Sequence, residues 1–298
     1  MSRLITRLLA MSTFAFGVAT MCSPAAKAID VEANDFVDAP DGTNVVLGYY
    51  QYQNANKYNS TLTGTSTGKT NLDQNTGIFR YVYYNSIFNV HYAAQFLIPF
   101  AGLSGVEIGG AKLNSTFGAA DPIVSVGFWP VANVTRKQYV SIFSYTSLPI
   151  GSYDSSQALS IGANRWQQDT LIDYTQKWWK GLTTDVSGDY IFYGTNSNVG
   201  IPGQSLKQKA TWVASFWLDY DTTPTSFVAV GWVGNFGGIQ SINGHYTGSK
   251  TEFQQIRAEF AYRPEPTVQL LAKVYHDINV VGGFQHEIGI EFRIVKAF

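Results

Sequence analysis

Hydrophobic and polar residues alternate along most of this chain with a period of two. The last segment, 287–298, places Ile290 and Phe292 on one side and Glu291 and Arg293 on the other. Successive side chains of a β-strand point to opposite faces of the sheet. The pattern therefore predicts a final strand with one apolar face and one charged face.

Segments of this kind recur from residue 43 to the end of the chain. They are rich in β-branched and aromatic residues and are bounded by Gly, Asn, Asp, Ser and Pro, which is typical of strands. The prolines fall in loops or near strand ends, as expected because proline cannot donate to a sheet ladder. The pattern predicts strands at roughly 43–54, 77–87, 89–100, 121–131, 137–149, 166–176, 182–194, 210–220, 224–235, 251–263, 266–276 and 284–298.

The connections between the predicted strands alternate in length. Long connections are expected at 55–76, 101–120, 150–165, 195–209 and 236–250, with short ones between them and a medium one at 277–283. Outer-membrane barrels have short periplasmic turns, long outer loops and an even number of strands. Soluble sandwiches have no reason to place every long loop at one end, and soluble lipocalin-like barrels stop at about eight strands. The chain is therefore predicted to be all-β, a transmembrane antiparallel up-and-down β-barrel of about 12 strands.

The two faces of the strands predict which side meets lipid. In 251–263, Ile256 and Phe260 alternate with Arg257 and Glu259, and similar alternation recurs in most other strands. We expect the apolar face to point outward and the polar face into a lumen, either as a selective constriction or as charges that pair and fill the interior. The predicted lumen-lining residues are Arg80, His91, Gln95, Asp169, Asp173, Asp185, Asp189, Asp219, Arg257, Glu259, Arg263, Lys273, Glu287, Glu291 and Arg293.

The first 28 residues have the features of an export signal. Arg3 and Arg7 precede an apolar run, and Ala28 ends a small-x-small cleavage motif. The predicted organisation is a signal peptide at 1–28 and an outer-membrane barrel domain at 29–298, which contains no cysteine. No stretch of it approaches the 18 or more apolar residues that identify a membrane helix.

Composition narrows the function classes. Charged residues make up 14% of the chain and the formal net charge is −1, without a basic cluster, so nucleic acid is not an expected partner. Tryptophan and tyrosine often form girdles at membrane interfaces. By position, the tryptophans expected at the two rims are Trp129, Trp166, Trp178, Trp179 and Trp212.

Catalytic and metal sites are the less favoured interpretations. The chain has four histidines, and none lies two residues from a serine on the same strand face. A triad assembled from separate strands stays open as an alternative. His276, Asp277, His286 and Glu287 bracket the last loop and could hold a divalent ion, although a solvated rim is the preferred interpretation. No catalytic residue, metal or cofactor is predicted.

Several segments together resemble a bacterial family. They are "FRYVYYNSIFNVHYAAQFLIPFAGLSG" (79–105), "FGAADPIVSVGFWPVA" (117–132), "YTSLPIGSYDSSQALSIGANRW" (145–166) and the terminal "FRIVKAF". They resemble the outer-membrane proteins of the meta-pathway phenol degradation family, often called transporters. Many relatives have Gly-Asp-Pro at the start of one strand, where this chain has Ala120-Asp121-Pro122.

The resemblance implies a porin-like barrel in the bacterial outer membrane that handles aromatic or other hydrophobic compounds. We expect facilitated diffusion of small solutes of this kind through a monomeric or self-associating barrel in contact with membrane lipid. The alternatives are a structural or lipid-contacting barrel with a plugged lumen, and an outer-membrane lipid hydrolase. The terminal Phe298 also resembles the signal that the outer-membrane assembly machinery reads.

Overall fold

The structure, a computed structural model, describes residues 30–66, 68–179, 181–200 and 203–298. The predicted signal peptide lies outside these residues. None of the described residues forms a helix that is long and apolar enough to cross a membrane. Twelve long strands build the barrel: β1 (Asn44–Ser60), β3 (Asn71–Ile87), β4 (Val90–Ile108), β7 (Ile123–Asn133), β8 (Gln138–Ser147), β9 (Gln167–Lys177), β10 (Leu182–Tyr193), β12 (Thr211–Thr223), β13 (Ser226–Gly237), β16 (Glu252–Glu265), β17 (Val268–Val281) and β18 (Gly283–Ala297).

Six short strands lie in the long connections, at the end of the barrel opposite the short turns. They form part of the outer loops and pair with each other or with the extended ends of the long strands. They are β2 (Gly64–Ser66), β5 (Ala111–Lys112), β6 (Thr116–Ala119), β11 (Leu206–Gln208), β14 (Gln240–Ile242) and β15 (His245–Tyr246).

Each long strand pairs antiparallel with its neighbours in the chain, and β18 pairs with β1 to close the barrel. The closing ladder runs from the pair Val45 and Ala297 to the pair Asn59 and Gly283. Closure is required because an unpaired strand edge in hydrocarbon would leave backbone groups without hydrogen bonds, at several kcal/mol for each group. The predicted twelve-stranded up-and-down barrel is confirmed.

Three strands are five to seven residues longer than predicted, and the medium connection is shorter. β1, β3 and β4 contain 17, 17 and 19 residues, whereas a membrane-spanning strand needs about 9–11. The polar residues 71–76 indicated a loop, yet they pair with strands on both sides. The medium connection predicted at 277–283 is a single residue, Gly282, whose φ of +82° suits glycine.

Pro99 corrects the expectation that the prolines avoid strand interiors, because it lies within β4. It marks the place where β4 changes partner, from β7 up to Leu97 to β6 from Phe100 onward. Its missing N–H therefore falls at a break in the ladder, and its carbonyl accepts a hydrogen bond from the Ala120 N–H at 2.8 Å. The change of partner leaves a local irregularity in the outer half of the wall.

The outer surface of the barrel is apolar. Large aliphatic and aromatic side chains alternate with buried inward ones along the strands, as the sequence predicted, and they surround the barrel on all sides. Together with the closed ladder, this belt requires a lipid environment. Its exposed members include Phe79, Phe96, Ile98, Val124, Val126, Phe128, Ile172, Val186, Phe192, Phe216, Val228, Val230, Ile256, Phe260, Leu270, Val274, Phe292 and Ile294.

Inward-facing aromatic rings lie across glycines of neighbouring strands. A Cβ atom built on Gly231 would be 2.4 Å from the Trp217 ring, and one on Gly289 would be 2.0 Å from the Tyr275 ring. Real Cβ atoms do not approach rings so closely, so these positions require glycine. The glycines let the rings lie flat against the wall and leave room in the lumen.

We expect Gly231→Ala to destabilise the barrel by about 1–3 kcal/mol, because the added methyl group overpacks the site of the Trp217 ring. Denaturant unfolding in detergent measures the loss. Gly188→Ala is the matched control, since its Cβ would have no heavy atom closer than 3.9 Å. Equal stabilities of the two variants would contradict this packing argument.

Candidate functional site

The interior of the barrel holds the chain segment that precedes β1, residues 30–43, named here the lumen segment. It contacts inward-facing side chains of β3, β7, β12, β16, β17 and β18. Its apolar side chains Val31, Ala33 and Phe36 are buried. Since these strands surround the lumen, the segment occupies the passage itself. Residues 30–43 show no regular hydrophobic pattern, and the position of this segment was not predicted.

Lys273 on β17 makes the most concentrated contact with the lumen segment. Its Nζ is 2.7 Å from Asp30 Oδ2, 2.5 Å from Glu32 Oε1 and 3.1 Å from Glu291 Oε2. The Lys273 side chain is 0% exposed. Removing one partner of a buried ion pair is strongly destabilising, so these four residues connect the segment firmly to the wall.

Three arginines extend this contact over neighbouring strands. Arg257 NH1 is 2.5 Å from Asp30 Oδ1, and Arg293 NH1 is 2.5 Å from Asp35 Oδ1. Arg80 NH1 lies 3.8 Å from the other oxygen of Asp35. With Lys273 they form what we name the basic wall, which spans β16, β17, β18 and, beyond β1, β3.

The basic wall keeps Asp30 and Glu32 of the lumen segment ionised. Burial acts to raise the pKa of Asp30, but Arg257 and Lys273 outweigh it and lower this pKa below its usual value. The pKa of Glu32 is also lowered, again against burial, mainly by Lys273. Acids with a lowered pKa stabilise the folded arrangement above their ordinary pKa and lose this contribution as the pH falls through the lowered value. The anchoring is therefore fully present at neutral pH.

Two buried tryptophans hold the backbone of the lumen segment. Trp217 Nε1 donates to the Val31 carbonyl at 2.9 Å, and Trp129 Nε1 donates to the Phe36 carbonyl at 2.7 Å. The prediction that Trp129 belongs to an interfacial girdle is wrong, because its ring points inward and is buried. The sequence indicates this inward direction, because Trp129 lies four residues from inward-facing Ser125 and residues an even number of positions apart in a strand share a face.

His91 lies where the lumen segment leaves the barrel at the end with the short turns. Its Nδ1 is 3.0 Å from Asp38 Oδ2 and 3.8 Å from Asp41 Oδ1. The side chain is 38% exposed, so this residue stands at the mouth of the lumen and not within it.

Five aspartates form a regular column on the wall opposite the arginines, named here the acid ladder. Asp185 and Asp189 are inward-facing on β10, and Asp219, Asp173 and Asp169 lie beside Thr183, Ser187 and Ile191 of the same strand. Successive inward positions 183, 185, 187, 189 and 191 of β10 therefore each have one carboxylate at their level. All five side chains are buried.

Few groups donate hydrogen bonds to the carboxylates of the acid ladder. The Thr175 hydroxyl lies 2.9 Å from an Asp173 oxygen and 2.6 Å from an Asp185 oxygen, and its one hydrogen is shared between them. The Asn34 N–H donates to Asp185 at 3.1 Å. Strands β8, β10, β12 and β13 contain no Lys or Arg. The Lys177 ammonium, at the short-turn end, forms an ion pair with Asp221. Among the described residues, the lumen is thus divided into a basic wall occupied by the lumen segment and an acidic wall almost without cations.

A cavity of about 110 Å³ adjoins the tip of the lumen segment on its outer side. Aliphatic and aromatic side chains form most of its wall, with four glutamines from the strands. Charged side chains also contribute to the lining, namely Asp30, Glu32, Arg80, Arg257 and Glu291. The lining includes Ile78, Leu97, Val213, Val233, Phe253, Gln51, Gln53 and Gln74. An apolar lining of this kind favours uncharged, hydrophobic occupants.

Most of the predicted lumen residues are buried on the inner face. Three are not, and all three correct the prediction; the first is His91, which stands at the mouth of the lumen. Arg263 is exposed at the short-turn end, with its guanidinium 6.0 Å from the centre of the Phe227 ring. A register shift in the β1–β18 ladder leaves Glu287 without a paired residue in β1. Its side chain is exposed and accepts a hydrogen bond from Asn56. The buried ones are Arg80, Gln95, Asp169, Asp173, Asp185, Asp189, Asp219, Arg257, Glu259, Lys273, Glu291 and Arg293.

The residues considered for a metal site are not gathered around one point. His286 Nδ1 is 2.8 Å from Asp277 Oδ2, whereas His276 Nδ1 is 2.6 Å from the Glu287 carbonyl. Within the described ranges, the group of three or more potential ligands close enough for one ion is Asp30, Glu32 and Glu291. There the Lys273 ammonium already supplies the cation.

Phe298 lies at the barrel closure, and its side chain is exposed. Its N–H donates to the Asn44 carbonyl at 2.9 Å, and the Asn44 N–H donates to the Phe298 carbonyl at the same distance. The terminal aromatic is thus fixed beside the first residue of β1. Its role as an assembly signal remains a prediction.

Comparison with solved structures supports the fold. The COG4313 outer membrane channel from Pseudomonas putida F1 matches with a TM-score of 0.85 and 23% identity, over 90% of this chain and 100% of that one. The β domain of the Bordetella autotransporter BrkA reaches 0.51 at 7% identity, over 86% and 99%. The toluene transporter TodX of P. putida matches with a TM-score of 0.43 at 8% identity, over 87% of this chain and 90% of that one. This TM-score is too low to indicate a common fold.

None of the curated proteins matches the chain. A family model does, and its match begins in the lumen segment and ends in the last strand of the barrel. The lipid-facing belt and the closed ladder place the protein in the bacterial outer membrane, as predicted. By the match over residues 38–293, the chain belongs to the family described as "Putative MetA-pathway of phenol degradation".

Proposed function

We propose that this protein is an outer-membrane channel for the facilitated diffusion of small hydrophobic or aromatic molecules. The observation that carries the proposal is the apolar lining of the cavity beside the lumen segment. Channels for polar solutes have polar, water-filled interiors. Here Ile78, Leu97 and Phe253 face inward where such a channel would present hydrophilic groups.

The lumen segment acts as a movable gate in this proposal. Ion pairs and hydrogen bonds hold it, and within the described residues its covalent connection to the wall is its continuation into β1. The outer-membrane channel that matches in structure shows the same fold, which supports the proposal without naming a substrate. The family description, which refers to phenol degradation, favours aromatic solutes.

A barrel closed permanently by its own segment is the second candidate function. The four cations of the basic wall and the two tryptophan hydrogen bonds favour it, because together they make displacement of the segment costly. The two candidates differ in whether solutes cross at all. Uptake measurements in cells separate them.

We expect a strain that lacks the protein to take up toluene or phenol several-fold more slowly than the complemented strain, at low external concentration. Ala101→Trp should abolish the complementation, because residue 101 is buried on the inner face of β4 and lines the cavity. Ala94→Trp is the control, since Ala94 is exposed on the outer face of the same strand. Equal uptake with and without the wild-type protein would contradict the proposal and favour the permanently closed barrel.

A further inference from the structure

The acid ladder has no part in the passage of an uncharged solute. We infer that it is a binding path for small monovalent cations, which makes the ionic conductance of this barrel cation-selective. This inference stands apart from the proposed function, because it concerns ions and a different wall of the lumen.

Three carboxylates of the acid ladder have at least one oxygen without a hydrogen-bond partner. Asp189 is 2% exposed, and neither of its oxygens has a hydrogen-bond partner. One oxygen of Asp173 and one of Asp219 are also without a partner. Buried charged groups require a compensating partner, and a cation in the lumen would provide it.

The carboxylates of the acid ladder are regularly spaced along β10. One carboxylate per inward position of a strand corresponds to a rise of about 6.7 Å per step, and the five levels span four such steps. Neighbouring carboxylates are therefore far enough apart that each can hold one weakly bound ion. Conduction requires several sites of this kind, each weak enough for the ion to leave.

The acid ladder does not form a tight site for a divalent ion. No three acids of the ladder bring ligand atoms within 4.8 Å of one another, whereas Asp30, Glu32 and Glu291 do. Calcium and magnesium are held by several oxygens at about 2.0–2.6 Å. The ladder is thus better suited to exchanging monovalent ions than to retaining a divalent one.

The ladder lies beside residues that line the cavity, on a different wall of the lumen from the basic residues. Val213 and Ser215, which line the cavity, pair with Asp189 and Ser187 of β10. The acids of the lumen segment are directed to Lys273 and the arginines, so these cations are already compensated. At the outer end, Arg165 lies over the Tyr193 ring at 4.9 Å and donates to Gln208.

The test is the reversal potential of the purified protein in a planar bilayer under a potassium chloride gradient. We expect potassium to be preferred over chloride by at least about fivefold, since a row of acidic side chains selects cations. The double variant Asp173→Asn, Asp189→Asn should reduce this preference at least about threefold. Glu287→Gln, which removes an exposed carboxylate, should leave it unchanged. A chloride preference, or an unchanged ratio in the double variant, would overturn the inference.

A second measurement applies if the barrel conducts too little current for the bilayer experiment. Trp217 pairs with Asp185 across the β10–β12 ladder, so its excitation can sensitise terbium ions bound to the acid ladder. We expect potassium to compete with this emission, and the double variant to lose most of it relative to Glu287→Gln. Equal emission from both variants would show that the aspartates hold protons and not cations, and it would overturn the inference whatever the uptake of aromatic solutes.

Discussion

Lys273→Gln is expected to open the barrel to ions. The substitution leaves Asp30, Glu32 and Glu291 without their shared ammonium group, at a cost of about 3–5 kcal/mol for a broken buried ion pair. Because two of the three acids belong to the lumen segment, departure of the segment relieves most of this cost. Single-channel conductance should rise, and proteases on the short-turn side should cleave the segment faster.

The matched control for this prediction is Lys296→Gln, which removes an exposed ammonium 3.6 Å from Glu265. A second substitution, Glu32→Gln, should partly restore the closed state when it is added to Lys273→Gln, because it removes one of the unpaired acids. The coupling between the two positions should be about 0.5–3 kcal/mol, as for residues in one ion-pair network. Unchanged conductance and unchanged protection in Lys273→Gln would show that other contacts hold the segment.

Val230→Arg is expected to destabilise the barrel by about 2–4 kcal/mol, the cost of a cation near the middle of the bilayer. Val230 is 58% exposed on the outer face of β13, and this face meets lipid in the present account. Reversible urea unfolding in lipid vesicles measures the change. Leu62→Arg is the control, since Leu62 is 62% exposed but lies in the outer loop after β1. A similar small effect at both positions would argue against a lipid-facing belt.

The barrel itself could be predicted because each strand repeats one simple rule. Lipid outside and polar groups inside impose a period of two, and the alternation of loop lengths fixes the up-and-down order. The predictions were wrong where local geometry departs from that rule. Glu287 is displaced from the inner face by a register shift, and Pro99 lies inside a strand because the ladder changes partner there.

The arrangement within the lumen was less accessible from the sequence. The charges of the basic wall and the acid ladder could be assigned to the inner face strand by strand, but their levels depend on strand register. The partners Asp30, Glu32 and Asp35 lie in a segment without regular secondary structure, more than 220 positions from Arg257, Lys273 and Arg293. Such a segment has no period, so only the three-dimensional structure brings it into the lumen.

The inward tryptophans show the same division between pattern and context. Strand parity is enough to place Trp129 and Trp217 on the inner face. Their function, however, depends on carbonyl groups of the lumen segment. An aromatic residue near a strand end is also common at membrane interfaces, which is why position alone led to the wrong assignment of Trp129.

The most direct test of the account is uptake through a barrel whose lumen segment can be fixed and released. The Phe36 and Phe143 rings lie 5.1 Å apart, so cysteines at these two positions can be joined by a reversible thiol cross-linker. We predict that the cross-linked protein takes up toluene no faster than the deletion strain, and that a reductant restores uptake to the level of the untreated double variant. Equal uptake in the cross-linked and reduced states would contradict passage through the lumen.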